Sequence, residues 1–227
     1  MRTELQGEPQ EVAASQQKSQ AHYRDLAIQY DHATRYINGV RNKTLAALNV
    51  QAGDVVLDVG CGTGYCLIAL ARAAGPAGHV IGFEHSAEML AVAQERIREA
   101  GLSNVTLIHA TAEAVTLPPE WHGKVNRLLF SYVHDVMNSP AALTNMLAQV
   151  AQGGEGARVA ACSTKLFAPW WFIGNWYLRW SHREYITNFT NFDAPWRLLA
   201  THCAEFEVTP QAPGSRYIAT GKIRVST

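Results

Sequence analysis

Three observations predict an α/β fold, a mostly parallel sheet with helices on both faces. From Val55 to Ser163, strand-like and helix-like segments alternate, the rhythm of right-handed crossover units. Val55, Val56, Leu57 and Val59 form an apolar run of the kind that suits a strand covered on both faces. Gly60, Gly62 and Gly64 follow at alternating positions, where bulky side chains would block a ligand's approach to the turning backbone.

Each element follows in order. Residues 1–15 are polar and rich in Gln, Glu and Ser, which predicts a frayed terminus. Residues 16–50 predict two cap helices over the mouth of the sheet, the second carrying Ile37, Val40, Leu45 and Leu48 at helical spacing. After the first strand, Tyr65 to Ala71 reads as a helix whose free N–H groups face the glycine turn. His79 to Glu84 is the second strand, and Ser86 to Ala100 is a helix with Ser86 as N-cap and Gly101 as its stop. Asn104 to Ile108, Val125 to Ser131 and Ala157 to Ser163 are the next three strands, with a helix from Ala141 to Ala151 between the last two. Residues 164–203 break the rhythm. Phe167 to Trp196 holds five of the chain's six tryptophans and predicts helix and loop, serving as a lid, a substrate segment or a dimer interface. Glu205 to Thr209 and Arg216 to Ile223 end the chain as two strands joined by a turn around Pro213-Gly214.

Composition narrows the function. At 227 residues and 48% hydrophobic content, residues 16–227 read as a single domain with one substantial core. Lysine plus arginine balances aspartate plus glutamate at 19 each, so no single-sign field favours phosphate backbones or anionic lipid. The expected partner is a small molecule, with neither nucleic acid nor membrane, and the expected state is monomer or homodimer. No apolar run reaches the length of a membrane span and the N-terminus lacks a signal-peptide core, which predicts a cytoplasmic protein. Cys61, Cys66, Cys162 and Cys203 have no C-x-x-C spacing, so they are expected to be reduced and mostly buried, with no metal.

The segment Asp58-Val59-Gly60-Cys61-Gly62-Thr63-Gly64 after a strand resembles motif I of the class I S-adenosylmethionine (SAM) methyltransferases. The rival pyrophosphate-binding pattern G-x-G-x-x-G is absent, because position 65 is Tyr. The resemblance implies a Rossmann-like seven-stranded sheet whose last strand is antiparallel, and SAM as cofactor. It places Asp58, Gly60, Cys61, Gly62 and Gly64 around the cofactor. It also implies that Glu84, with His85 beside it, accepts hydrogen bonds from the ribose hydroxyls, and that Met89 and Phe83 pack on the adenine. Thr111, Ala112 and Glu113 stand in the adenine-holding turn, with Thr111 where the family commonly has Asp. Ser131 to Val133 would lie below the sulfonium and the transferable group. Tyr30-Asp31 resembles the Y-D that precedes motif I in many members, where the tyrosine covers the methionine moiety; Arg41 is either a partner for its carboxylate or an exposed helix residue.

For the chemistry itself, His134 and Asp135 follow the fourth strand at the edge where open α/β sheets place their ligands, and His134 is a candidate general base. Tyr132 and Tyr177 complete the catalytic candidates, and Trp171, Trp176, Asn188 and Asn191 the candidate substrate pocket. Aromatic faces stabilise a cation such as a sulfonium by about 0.5–2 kcal/mol. The leading expectation is methyl transfer to a small molecule of secondary metabolism. An alternative is similarity to azetidine-2-carboxylate synthases, in which the amino nitrogen of SAM attacks its own γ-carbon and expels methylthioadenosine. A non-catalytic SAM-binding protein is the third.

Overall fold

The computed structural model describes residues 32–150, 156–182, 191–212 and 214–224. Residues 1–15, the first cap helix, Tyr30 and Asn188 lie outside the described residues. After a 3₁₀ turn at Arg35–Ile37, the helices are α1 (Asn38–Leu48), α2 (Leu67–Ala74), α3 (Ala87–Glu99), α4 (His134–Met137), α5 (Pro140–Leu147), α6 (Phe172–His182) and α7 (Arg197–Thr201). The strands are β1 (Val55–Val59), β2 (His79–Glu84), β3 (Val105–His109), β4 (Arg127–Ser131), β5 (Arg158–Thr164), β6 (Cys203–Gln211) and β7 (Arg216–Ile223).

All seven strands form one sheet in the order β3-β2-β1-β4-β5-β7-β6. Neighbours among β1 to β5 are parallel, whereas β7 runs antiparallel to both β5 and β6. This is the Rossmann-like arrangement implied by motif I, with β7 inserted between β5 and β6. The chain steps outward from β1 to β2 and β3, then crosses to β4 on the other side. That reversal opens a crevice at the carboxyl ends of β1 and β4, the place where such sheets take ligands.

Strand alternation decides what faces that crevice. Val55, Leu57 and Val59 pack into one layer with Leu143, Met146 and Tyr217, and Val56 packs into the other with Leu48, Leu67 and Leu70. Asp58 shares the face of Val56, so a fully enclosed acid lies on the side covered by α1 and α2. Helix α1 buries Val40, Arg41, Thr44 and Leu48 and packs on β4, β5 and β7. It therefore lies along a sheet face, held by Val40 against Cys162 and Ile218, instead of over the mouth as the sequence suggests.

Local signals fare well. Ser86 caps α3 by accepting from Met89 N, and Gly101 takes φ +64 after its last turn. Helix α5 starts at Pro140, earlier than expected, because Ser139 accepts from Ala142 N and proline suits the first helical position. Val125 makes only an isolated bridge to Val150, so the fourth strand begins at Arg127. Strand β6 is longer than its pattern predicts, running from Cys203 through a bulge at Ala204/Glu207 where Glu205 has φ +51. The four cysteines are free and buried. Among the described residues no helix is long and apolar enough to cross a membrane.

Candidate active site

A cavity of about 380 Å³ opens at the crevice between β1 and β4. The structure brings together there Asp58, Gly60, Cys61, Gly62, Glu84, His85 and Met89 from the first two βα units. Thr111, Ala112 and Glu113 reach it from the turn after β3, and Ser131, Tyr132, His134 and Asp135 from the end of β4.

Glu84 is the best-defined polar group of the wall. It is 5% exposed; its Oε2 accepts from Gly62 N at 3.1 Å, and its Oε1 accepts from His85 N and Ser86 N, both at 2.9 Å. His85 Nδ1 also stands 2.8 Å from Oε1. The carboxylate thus ties the glycine turn to the start of α3, and Oε2 keeps a lone pair for a ligand hydroxyl. The φ of Gly62 is +56, and a Cβ there would meet nothing closer than Met89 Sδ at 3.9 Å, so the backbone faces open space.

Asp58 has the opposite surroundings. Its Oδ2 is buried and has no hydrogen-bond partner. Burial pushes its carboxyl pKa up to about 7, against the pull of the Arg41 guanidinium and with a further push from Glu84. Arg41 is 7% exposed, stands over the rings of Tyr65 (5.2 Å) and Tyr132 (5.6 Å), and lines the cavity. Tyr132 adopts φ +61, a strained conformation for a bulky residue, held by its N–H donating to Cys162 O at 2.8 Å. Burial raises the phenol pKa of Tyr132 above its ordinary range, which keeps it neutral.

A stability prediction follows from Asp58. The unfolded chain releases this proton near pH 3.9, whereas the folded chain holds it to about 7. Between those values the folded state binds more protons, so this group's contribution to stability falls as pH rises. Asp58→Asn should remove that dependence. In urea unfolding from pH 4.5 to 7.5, the stability of the variant relative to the wild type should climb with pH, and a pH-independent difference would contradict the burial argument.

Several expected residues stand elsewhere. Gly64 is not in the cavity wall; a Cβ at this φ +80 position would come within 3.0 Å of Ala93 Cβ, so it serves close packing of the turn on α3. Tyr177, Trp171 and Trp176 are 58%, 50% and 67% exposed and line no part of the cavity. The reason is the anchoring of α6. Leu178 packs against Phe192, Leu166 and Phe167, and Asn175 Oδ1 accepts from Phe167 N at 2.8 Å, which turns the aromatic stripe outward. Asn191 is also outside the cavity wall and bonds instead to Asn138 and Arg197. Conversely, Val136 lines the cavity without any sequence signal, whereas Val133 stands in its wall beside Ser131 and Tyr132. Arg41 carried one: a cation four residues after Ile37 and three before Thr44, on the buried side of its helix.

A seven-stranded sheet of this order, with a glycine turn braced by an acid at the end of β2, is the arrangement of the class I methyltransferase fold. Over residues 51–170, more than half of the chain, the sequence matches the family described as Methyltransferase domain. The chain belongs to that family, the SAM-dependent methyltransferases, and its cofactor is S-adenosylmethionine. A demethylmenaquinone methyltransferase from Anoxybacillus flavithermus is 45% identical over 78 residues, 34% of this chain and 33% of that protein. The match thus spans about a third of the length of such curated relatives. A SAM-dependent methyltransferase from Aquifex aeolicus shares the fold at 20% identity and a TM-score of 0.53, over 80% of this chain and 88% of the other. A Clostridium thermocellum protein provisionally assigned as an rRNA methylase does so at 17% and 0.56, over 82% and 96%. The fold therefore does not separate small-molecule from nucleic-acid acceptors.

Proposed function

We propose that this protein transfers the methyl group of SAM to a small-molecule acceptor in the cavity between β1 and β4. The observation that carries the reading is the pairing of two unlike carboxyl groups there: Glu84, tied to the Gly62 turn, and Asp58, buried with a free acceptor oxygen. The residues present fit the cofactor. Glu84 would hold the ribose, Met89 and Phe83 the adenine, and the backbone of Ala112 its edge. Asp58 would take the ammonium and Arg41 the carboxylate of the methionine end. When bound, the cofactor supplies an electrophilic methyl on a sulfonium. Ser131, Tyr132 and Val133 would exclude water beneath that group, where attack needs alignment and desolvation more than acid–base help. Asp135 would receive the acceptor's proton.

Two features support a small acceptor over nucleic acid: the balanced charge of 19 against 19, and the named activity of the sequence relatives. A short-chain demethylmenaquinone-type quinol is accordingly the first acceptor to try. One observation favours a second reading, the cyclase. A buried carboxyl with pKa near 7 can take a proton from the ammonium, freeing the amine to attack the γ-carbon as the carbon–sulfur bond breaks and methylthioadenosine leaves. Chromatography of the nucleoside product separates the two. S-adenosylhomocysteine formed only with acceptor supports methyl transfer; methylthioadenosine formed from SAM alone overturns it in favour of cyclisation.

A further inference from the structure

A directed chain of hydrogen bonds runs from the segment after the aromatic helix to the cavity wall. Arg197 Nη2 donates to Asp193 Oδ2 at 3.1 Å, and its Nη1 donates to Asn191 Oδ1 at 3.3 Å. A guanidinium has no acceptor, so Asn191 must turn its oxygen toward it and offer Nδ2 the other way. Asn191 Nδ2 then donates to Asn138 Oδ1 at 3.2 Å. On its far side, Asn138 Nδ2 donates to the backbone oxygen of His134 at 3.0 Å and meets His134 Nε2 at 3.3 Å. A donor-only group at one end and an acceptor-only carbonyl at the other leave the Asn138 amide a single orientation.

We infer that Asn138 is a positioning residue that fixes the tautomer of His134, holding the neutral ring with Nε2 as acceptor and the proton on Nδ1. A neutral imidazole has one donor and one acceptor nitrogen, and Asn138 Nδ2 claims the acceptor. Protonating Nε2 would set N–H against N–H. His134 is 3% exposed and meets the edge of Phe192 at 5.2 Å, so water does not take over that contact. The charged and titratable groups around it include Asp135 on its own helix, Asp58, Glu84, Glu113 and Arg41 in the shared cavity together with His85, Tyr132, Tyr65 and the thiols of Cys61 and Cys66, and the paired Arg197 and Asp193 beyond Asn191. The general-base role expected of His134 is thereby closed at Nε2 while Asn138 is in place, which turns that role toward the carboxylates of the wall, Asp135 nearest in the chain. The inference rests on reading the cavity as the reaction site only for that last consequence.

The test is a ring-nitrogen NMR spectrum of the ¹⁵N-labelled full chain without SAM, with the His134 signals assigned by their loss in His134→Gln. The neutral wild-type ring should show a pyrrole-type Nδ1 and a pyridine-type Nε2. Asn138→Asp places an acceptor where the donor stood, and should raise the ring's proton affinity about tenfold or more. A pyrrole-type Nε2 in the wild type, or an unchanged proton affinity in Asn138→Asp, overturns the inference. If that variant does not fold, the wild-type spectrum alone decides. The readout needs no turnover, so failure here is distinct from failure of the methyl-transfer reading.

Discussion

Replacing Glu84 by Gln should weaken SAM binding about a hundredfold, the loss of one to two charge-assisted hydrogen bonds at about 1.5–3 kcal/mol each. The carboxylate accepts on both sides at once, from Gly62 N through Oε2 and from His85 N and Ser86 N through Oε1. An amide has one oxygen. Its NH₂ must therefore point at a backbone donor on one side or the other, opening the glycine turn or the start of α3, and the proposed contact with the ribose would lose its charge. Glu84→Asp keeps the charge but is one methylene shorter, so its effect should be smaller. Calorimetric titration with SAM is the measurement; equal affinity in wild type and Glu84→Gln would remove this residue from the cofactor site.

Gly60→Ala should be as damaging for a different reason. Its φ is +61, and an added Cβ would fall 2.6 Å from Val133 Cγ1. The left-handed backbone costs a residue with a side chain about 1–2 kcal/mol, and overpacking adds about 1–3 kcal/mol. Val133 lines the cavity, so its displacement should also reduce SAM affinity. Pairing the change with Val133→Ala removes the collision and leaves the backbone strain. The double variant should recover part of the lost melting temperature and part of the affinity; no recovery in either would show that the clash is not the cause.

The sheet was legible because its signals are local and strong. Apolar runs such as Val55 to Val59, the cap at Ser86 and the stop at Gly101 each reflect a short-range rule of sterics or hydrogen bonding. The glycine-turn side of the cavity was legible for the same reason, since the glycine turn and Glu84 each close a strand whose neighbours are set by the alternation. Gly64 shows the limit. Its place beside Gly60 and Gly62 suggests ligand approach, yet the contact that excludes a side chain there comes from Ala93, on a helix almost thirty residues later.

The aromatic segment and His134 are the parts where contacts from distant segments add most to the sequence reading. Five tryptophans between Phe167 and Trp196 suit a lid, a pocket wall or a dimer interface; a helix can turn either face inward, and the anchors Leu178 and Asn175 turn Trp176 and Tyr177 out. His134 looks like a base from its position at the end of β4. Its protonation is governed by Asn138, whose orientation traces back to Arg197, more than sixty residues away from the histidine.

Sequence by itself determined the class of sheet, the cofactor and the two acids that line the cavity, because backbone geometry at a strand–turn–helix junction depends on residues adjacent in the chain. Only the tertiary structure decided that Asp58 is buried with a raised pKa, that Arg41 lies under the cavity instead of in water, and which nitrogen of His134 carries the proton. Those properties depend on desolvation and on hydrogen-bond partners drawn from distant segments, and neither is set until the chain has folded.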